Sequence, residues 1–555
     1  VSYSSSGQSG SLTDYDLEYL VRENGAGKTR IDIPGIKAGT YTLEVELEDG
    51  TKYSASDITV YENDRTGYAH KDATIAGISG VGAYKNDGTI KDNAVIIYVT
   101  EDNKNTVTVP GLSNSPVGIG NILNYKSEDT GSTTGSGKAD ALKELAAAGK
   151  ALDIRIIGSV IAGDSNTRSD VPSENVLGLT QYNGTGNGGT AKDNGMVARM
   201  FNAQNITIEG IGTDATIDGW GFQVIAGTAR PSQSVEFRNL SFKTTPEDAI
   251  GLEGTVNKSK DPQDKAYLDQ YSPIKYCWVH NCTFYPGYCK NPAESDKAEG
   301  DGSLDFKRGY GFTQDYNHYI ENHKTNLIGS SSDSIQYDVT YHHNFYDQVW
   351  SRQPLVRQAN VHIFNSYFKN GSGTSYIISP RAHSYTLSEA NYYESCKNPV
   401  DSPSEGGGYV KSFNDNFAAC TGNNYATVVT SRETPVDGVD NKLKADFDTA
   451  NKFPYDYTPT DAVQAKADCL AKAGVMKPAG EINMDPEKIS VLSEYPSAAI
   501  KLPYTLDCTQ AYPAGKSVID NAILNAASKG TGTSVKIRDN GVIFAVTQSA
   551  TVSFT

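Results

Sequence analysis

The segment Val339-Thr-Tyr-His-His-Asn344 ends as Val361-His-Ile-Phe-Asn365 does, in a short strand closed by asparagine. Val235-Glu-Phe-Arg-Asn239 and Tyr276-Cys-Trp-Val-His-Asn281 end alike, and Asn317 and Asn391 sit in similar settings. From Asn317 the gaps to Asn344, Asn365 and Asn391 are 27, 21 and 26 residues, each about one coil of a solenoid. Stacked coils place the same turn above itself, where an asparagine side chain can bond an amide of the next coil and form a ladder. An aromatic follows in most cases (Phe242, Phe284, Phe345, Phe368, Tyr393), which predicts an interior aromatic stack. Residues 73–480 therefore read as an all-β solenoid, a parallel β-helix.

Helical periodicity is scarce around these strands. Residues Lys138 to Gly149 read as one helix with glycine as its stop, and Ala462 to Ala473, ahead of Gly474, as another. Segments 163–195, 255–273 and 286–300 read as enlarged turns, where a solenoid builds a binding groove. Residues 1–72 form a separate unit in this reading. Arg30-Ile-Asp-Ile-Pro34, Thr40 to Glu46 and Lys52 to Tyr61 alternate apolar and polar residues between glycine turns, as in a small fibronectin-III-like β-sandwich. Glu62-Asn-Asp-Arg-Thr-Gly67 is the expected linker. Residues 481–555 are expected to cap the solenoid or to belong to a further module, with a helix from Ser517 to Ala527 and strands near 533–537 and 542–546.

Bulk properties narrow the function. The 555 residues carry a formal net charge of -17, which disfavours nucleic acid and anionic membranes as partners. No apolar run approaches the roughly 20 residues needed to span a bilayer. The chain opens at Val1 with a Ser/Gly-rich stretch, as expected after removal of a secretion signal, so an extracellular location is the expectation. Seven cysteines leave at least one unpaired within the chain, and they lack the CxxC spacing of a zinc site.

The charged residues between Asp248 and Arg357 carry the chemistry. Carboxylates come first, Asp248 and then Asp301-Gly-Ser-Leu-Asp305; cations follow at Lys307, Lys324 and Arg352-Gln-Pro-Leu-Val-Arg357. Asp305 and Lys307 are two apart and project from one face of a strand. Asp301 lies about 13 Å from Asp305 along an extended chain, so a shared ion requires a bend, for which Gly302 is the expected hinge. With Asp248 from a neighbouring coil, three carboxylates form an oxygen site suited to calcium rather than zinc. The plain alternative is that each aspartate is a turn residue or an ion-pair partner of Lys307. Fixed cations beside a hard cation suit a substrate that is itself a carboxylate. Arg352 and Arg357, five apart, would face opposite ways on a regular strand, so Pro354 is expected to mark a bend. His342 and His343 are expected to be structural, pointing to opposite faces of their strand, and His280 and His362 are read as core residues. Arg381 extends the groove or forms a surface ion pair.

In order and spacing, Asp301 to Lys307, Lys324 to Ser331, Val339 to Tyr346 and Arg352 to Arg357 resemble the polysaccharide lyase family 1 pectate lyases. Asn205 to Gly219 resembles an early coil of the same family, and the likeness runs from about Asn205 to Asn391. The resemblance implies a right-handed parallel β-helix and calcium-dependent β-elimination of α-1,4-linked polygalacturonate to 4,5-unsaturated products. It implies Arg352 as the base that takes the C5 proton, Arg357 as its support or a substrate contact, Lys307 and Lys324 as substrate grips, and Asp248, Asp301 and Asp305 as calcium ligands. Two positions depart from the family pattern: Pro246 stands where some members carry another acid, and Asp301 stands where glutamate is also seen.

The partners expected are polygalacturonate or pectin alone, with no nucleic acid, no membrane and a monomeric chain. Pectin lyase action on esterified polymer would need neither the aspartates nor Lys324. Glycoside hydrolysis by Asp301 and Asp305 would leave Arg352 and Lys324 without work. A noncatalytic glycan-binding β-helix would not require the Asp–Lys–Arg set at all.

Overall fold

A computed structural model describes residues 1–23, 28–113, 115–124, 140–162, 177–183, 194–245, 247–255, 265–287, 300–370, 374–436 and 453–476, and short strands between 482 and 547. Most of the three enlarged turns, the 517–527 helix, Pro246, Cys289 and Cys508 lie outside the described residues.

The coils form a right-handed parallel β-helix. Its longest ladder stacks Ala94–Val99, Ala151–Ile161, Gln204–Asp218, Gln233–Arg238, Ile274–His280, Gly309–Asp315, Tyr337–His342, Asn360–Phe364, Tyr385–Glu389 and Tyr409–Phe413, all in parallel register. A second ladder of short strands follows after a tight turn in each coil, from Ser241–Lys243 through Phe345–Asp347 to Asn416–Ala418. The third is the sheet that bears the charged residues.

The asparagine ladder is present, but the six asparagines divide between two adjacent positions. Asn317, Asn344 and Asn391 turn inward: the Asn344 amide oxygen accepts from the Asn317 N–H at 3.0 Å, and Asn317 accepts from Cys282 at 2.9 Å. Ser366 takes a rung, donating its N–H to Asn391 at 2.8 Å. Asn239, Asn281 and Asn365 stand one residue earlier, with φ of 54°, 51° and 48°, in the left-handed region that asparagine tolerates. Their side chains face outward and hold the 453–476 segment, through Met476 N–H, the Lys472 and Gly474 carbonyls, and Thr460. The same shift corrects the aromatic stack. Its interior members are Phe242, Phe284, Tyr319, Tyr346, Phe368, Tyr393 and Phe417, with successive ring centroids 4.7–5.0 Å apart. Phe345 belongs to an outer stack with His318 and Tyr367.

Both expected helices form, at Ala141–Ala147 behind an Asp140 cap and at Ala462–Lys472 behind an Asp461 cap. A third, Tyr68–Ile75, was not apparent from periodicity; Thr340 and Thr313 hydroxyls accept its first N–H groups and so cap it from the coils. The three expected N-terminal strands appear as Lys28–Asp32, Gly39–Glu46 and Lys52–Tyr61 around Ile31, Leu43, Val45, Ile58 and Val60. Two strands from the far end join that unit: Ile537–Arg538 pairs with the Lys52–Tyr61 strand and Gly541–Thr547 with Lys28–Asp32. The unit sits against the coils through Leu20, Tyr98, Ile157 and Ile211, and through Arg22 paired with Asp214 at 3.1 Å. The cysteines at 277, 282, 396, 420 and 469 are free thiols. No described helix is long and apolar enough to cross a membrane.

Candidate active site

The third sheet runs in the order Ser379–Arg381, Leu355–Arg357, Lys324–Ile328, Gly302–Lys307, Ile250–Gly254, Gly221–Ala226, Asn194–Met200 and Thr180–Asn183. Within Gly302–Lys307, Leu304 and Phe306 point into the core, so Ser303, Asp305 and Lys307 point outward. Register does the rest. Asp305 stands beside Gly251 and Leu327, and Lys307 beside Glu253. Lys324 stands beside Gly302 on one side and Ser351 on the other. A cleft of about 370 Å³ over this sheet is lined by all seven expected residues: Asp248, Asp301, Asp305, Lys307, Lys324, Arg352 and Arg357.

The acids converge. Asp248 Oδ1 accepts from the Gly302 N–H at 2.8 Å, and Asp305 Oδ1 from the Leu327 N–H at 3.2 Å. Gly302 is not the hinge expected of it, since its φ is not in the left-handed region. It is required for space: a β-carbon there would lie 2.5 Å from Asp248 Oδ1 and 3.2 Å from Asp305 Oδ1. Lys307 Nζ lies 3.1 Å from Asp305 and 3.8 Å from Asp248, while Lys324 Nζ lies 3.1 Å from Asp301.

Burial first, then Asp305, push the Asp248 carboxyl well above the usual carboxylate range, and Lys307 offsets this only in part. Burial alone would lower the Lys307 ammonium, but Asp305 and Asp248 outweigh it and raise it. Clustered carboxylates too crowded to ionise together are what a divalent cation relieves. Their hard oxygens fit calcium or magnesium rather than a soft metal.

The two arginines reach the same cleft by an irregular turn. Arg352 has φ 60° and precedes a cis Gln353–Pro354 bond, and the strand resumes only at Leu355–Arg357. This replaces the opposite-face geometry of a regular strand. Among the described residues the Arg352 guanidinium makes no hydrogen bond or ion pair. Arg357 is engaged instead. Its Nε and Nη2 donate to Glu405 at 2.6 and 2.9 Å, and Arg381 joins the same carboxylate at 3.0 Å. The hydrogen bond from Arg357 is the chief reason the Glu405 carboxyl falls to about 2.

Sequence reading did not single out Glu405 or Glu253. Glu405 lies 48 residues from Arg357 on a later coil, so only the fold brings them together. Glu253 was within reach, because one coil of register places it beside Lys307; it pairs with Arg308 and accepts from Gln223 at 3.3 Å.

His342 and His343 do not diverge. The left-handed turn at His343 (φ 51°) ends strand alternation and brings their Nδ1 atoms to 3.0 Å. His280 and His362 are buried, as expected, but on the outer face of the coil, against Glu236 and Glu389 at 3.1 and 3.2 Å.

A pectate lyase family profile matches residues 112–478. The chain belongs to the pectate lyase family. It is 28% identical over 215 residues to a pectate lyase of Bacillus subtilis, covering 36% of this chain and 48% of that protein. It is 26% identical over 343 residues to a pectate trisaccharide-lyase of Bacillus licheniformis, covering 58% of this chain and 91% of that protein. Among solved structures it is similar to a pectate lyase from Bacillus sp. N165 in complex with trigalacturonate, with 19% identity and a TM-score of 0.44 over 74% of this chain and 99% of that one. The β-helix assignment stands on the strand registers of this chain itself.

Proposed function

We propose that this pectate lyase family member cleaves polygalacturonate by β-elimination in the cleft over the third sheet, with calcium held by Asp248, Asp301 and Asp305. The observation that carries the reading is the state of the four cations. Lys307 and Lys324 are each within 3.1 Å of a cleft acid and Arg357 is clamped by Glu405, whereas Arg352 alone of the four has no acid partner among the described residues. A cation left unpaired in a cleft lined with acids is placed for a substrate that brings its own carboxylate.

When bound, calcium would neutralise the crowded acids and withdraw electrons from a uronate carboxylate, acidifying the proton on C5. Lys307 and Lys324, fixed by their acids, are positioned to hold substrate oxygens. Arg352 is assigned to the C5 proton by its position in the family motif and its freedom from an internal partner; as a guanidinium it meets the anionic substrate, and only its deprotonated form would take the proton. Arg357, tied to Glu405 and the Gly329 carbonyl, is better suited to fixing the wall beside Arg352 than to gripping substrate. The expected setting is extracellular, the expected state monomeric.

The test is ultraviolet absorbance of the conjugated double bond on polygalacturonate, with and without a chelator. Absorbance that rises with calcium and stops on chelation is expected. Reducing ends without absorbance would mean hydrolysis, and chelator-resistant activity favouring esterified polymer would mean pectin lyase action.

A further inference from the structure

A second cluster of ligand-type side chains lies away from the cleft, where the 62–67 segment crosses the end of the Tyr337–His342 strand. Read from sequence as a linker, this segment is packed onto the coils. Asp64, His342 and His343 each offer one ligand atom, and the three atoms lie within 4.8 Å of one another. His342 Nδ1 is 3.0 Å from His343 Nδ1 and 4.0 Å from Asp64 Oδ2. Two donors on a tetrahedral zinc-sized ion stand about 3.3 Å apart, between those separations.

The supporting bonds make the cluster a site. His342 Nε2 lies 3.1 Å from the Thr66 carbonyl, which can only accept, so Nε2 carries the proton and Nδ1 presents a lone pair to the cluster. The Thr66 N–H donates to Asp64 Oδ1 at 3.0 Å and leaves Oδ2 turned toward the histidines. One residue thus orients two ligands, the role that outer partners play around bound metals. Stacking of Tyr316 on His343, with centroids 4.6 Å apart, fixes the third.

A second observation points to a ligand here. Asp64 and Thr66 line a cleft of about 760 Å³ that also contains Asn63 and His70. Both are buried, 7% exposed, yet none of their four polar side-chain atoms has a hydrogen-bond partner among the described residues. Unpaired buried polar groups are costly. Asn63 adjoins Asp64 in the chain, so its amide is a group that water on an ion bound at Asp64 would satisfy.

We propose that Asp64, His342 and His343 bind one divalent transition metal of the zinc class, fastening the 62–67 segment to the coils. Mixed imidazole and carboxylate donors suit zinc, whereas the all-oxygen cleft on the other sheet suits calcium. In the metal-free chain His343 Nδ1–H donates to His342 Nδ1; when the metal takes the His343 nitrogen the proton moves to His343 Nε2, so His343 stays a neutral imidazole.

The test is calorimetric titration of the full chain with zinc chloride in saturating calcium, beside Asp64→Asn, His343→Gln and, as a control in the other cleft, Asp301→Asn. One zinc per chain is expected in the unsubstituted protein and in Asp301→Asn. Losing a ligand should weaken binding by at least the about 10- to 100-fold that losing an outer partner costs. Asp64→Asn keeps its acceptor for Thr66 and so guards against misfolding as the cause. Cobalt substitution should give the intense visible bands of a four-coordinate ion. Absence of stoichiometric zinc binding, unchanged affinity in either Asp64→Asn or His343→Gln, or a six-coordinate cobalt spectrum would overturn the proposal.

Discussion

Two clusters of buried charge sit on the outer faces of the same coils, and they are built to opposite ends. Beneath Tyr84, the side chains of Asp153, Arg155, Glu209, Glu236, Arg238 and His280 form a connected network. Arg238 donates twice to Glu209, at 2.8 and 2.6 Å, and Arg155 joins Asp153 and Glu209 at 2.8 and 3.2 Å. Burial would raise Glu236, yet Arg238 and His280 bring it down to about 2, and burial with Glu209 raises Asp153 toward the neutral acid. Two arginines then balance two glutamates. In the cleft, three aspartates crowd one another, Asp248 is driven up, and Arg352 stands without an acid. Residue types are the same in both. Whether the charges satisfy each other separates cement from a working site.

That contrast can be broken by substitution. The largest effect is expected from Arg352→Lys, which should lower kcat by about 10²- to 10⁴-fold while the unfolding midpoint stays put. Near-native turnover would remove Arg352 from the proton-transfer step. Arg238→Met should do the reverse. It removes both hydrogen bonds from Arg238 to Glu209 and the ion pair to Glu236, leaving Arg155 and His280 to hold them, at a cost of about 3–5 kcal/mol in urea unfolding, with turnover per folded molecule preserved. An unchanged midpoint would mean the network is no cement.

Gly302→Ala sharpens the cleft side of the comparison. The new methyl displaces the Asp248 carboxylate, and a shift of about 1 Å can cost up to about 10²-fold in rate. Excess calcium should recover part of it, and full activity at low calcium would argue against convergence of the acids on one ion. The smallest effect is expected from Glu405→Gln, a partly exposed pair worth no more than about 1 kcal/mol. Because Arg357 holds the Glu405 carboxyl at about 2, its stabilisation is present above the ordinary glutamate value near about 4.3 and is lost as pH falls from there through about 2. The substitution should therefore flatten thermal stability across that acid window and change KM only severalfold. A kcat collapse instead would place Glu405 in the chemistry.

Much of this was legible in the chain. Coil spacing revealed the solenoid, and a two-residue strand period placed Asp305 beside Lys307. What escaped was set by single-residue phase. Asn317 and Asn365 look alike in sequence, yet one is a rung and the other an outward clasp, because the left-handed residue of the turn falls on Tyr316 in one coil and on Asn365 in the other. The same phase error put Phe345 in the core in place of Tyr346 and sent His342 and His343 to opposite faces. Glu405 was hidden for another reason: its partner is chosen by stacking, and no local pattern records which coil lies above which.

The outward asparagines carry a consequence for how the molecule comes apart. A stack in which each coil touches only its neighbours can fray from either end, a few turns at a time. Here residues 453–476 run back down the stack, tied to Asn365, then Asn281, then Asn239. Coils more than a hundred residues apart thus share one lace, and opening any of them strains the rest. Local fraying gives way to cooperative release, with amide exchange in these coils governed by the lace rather than by distance from an end.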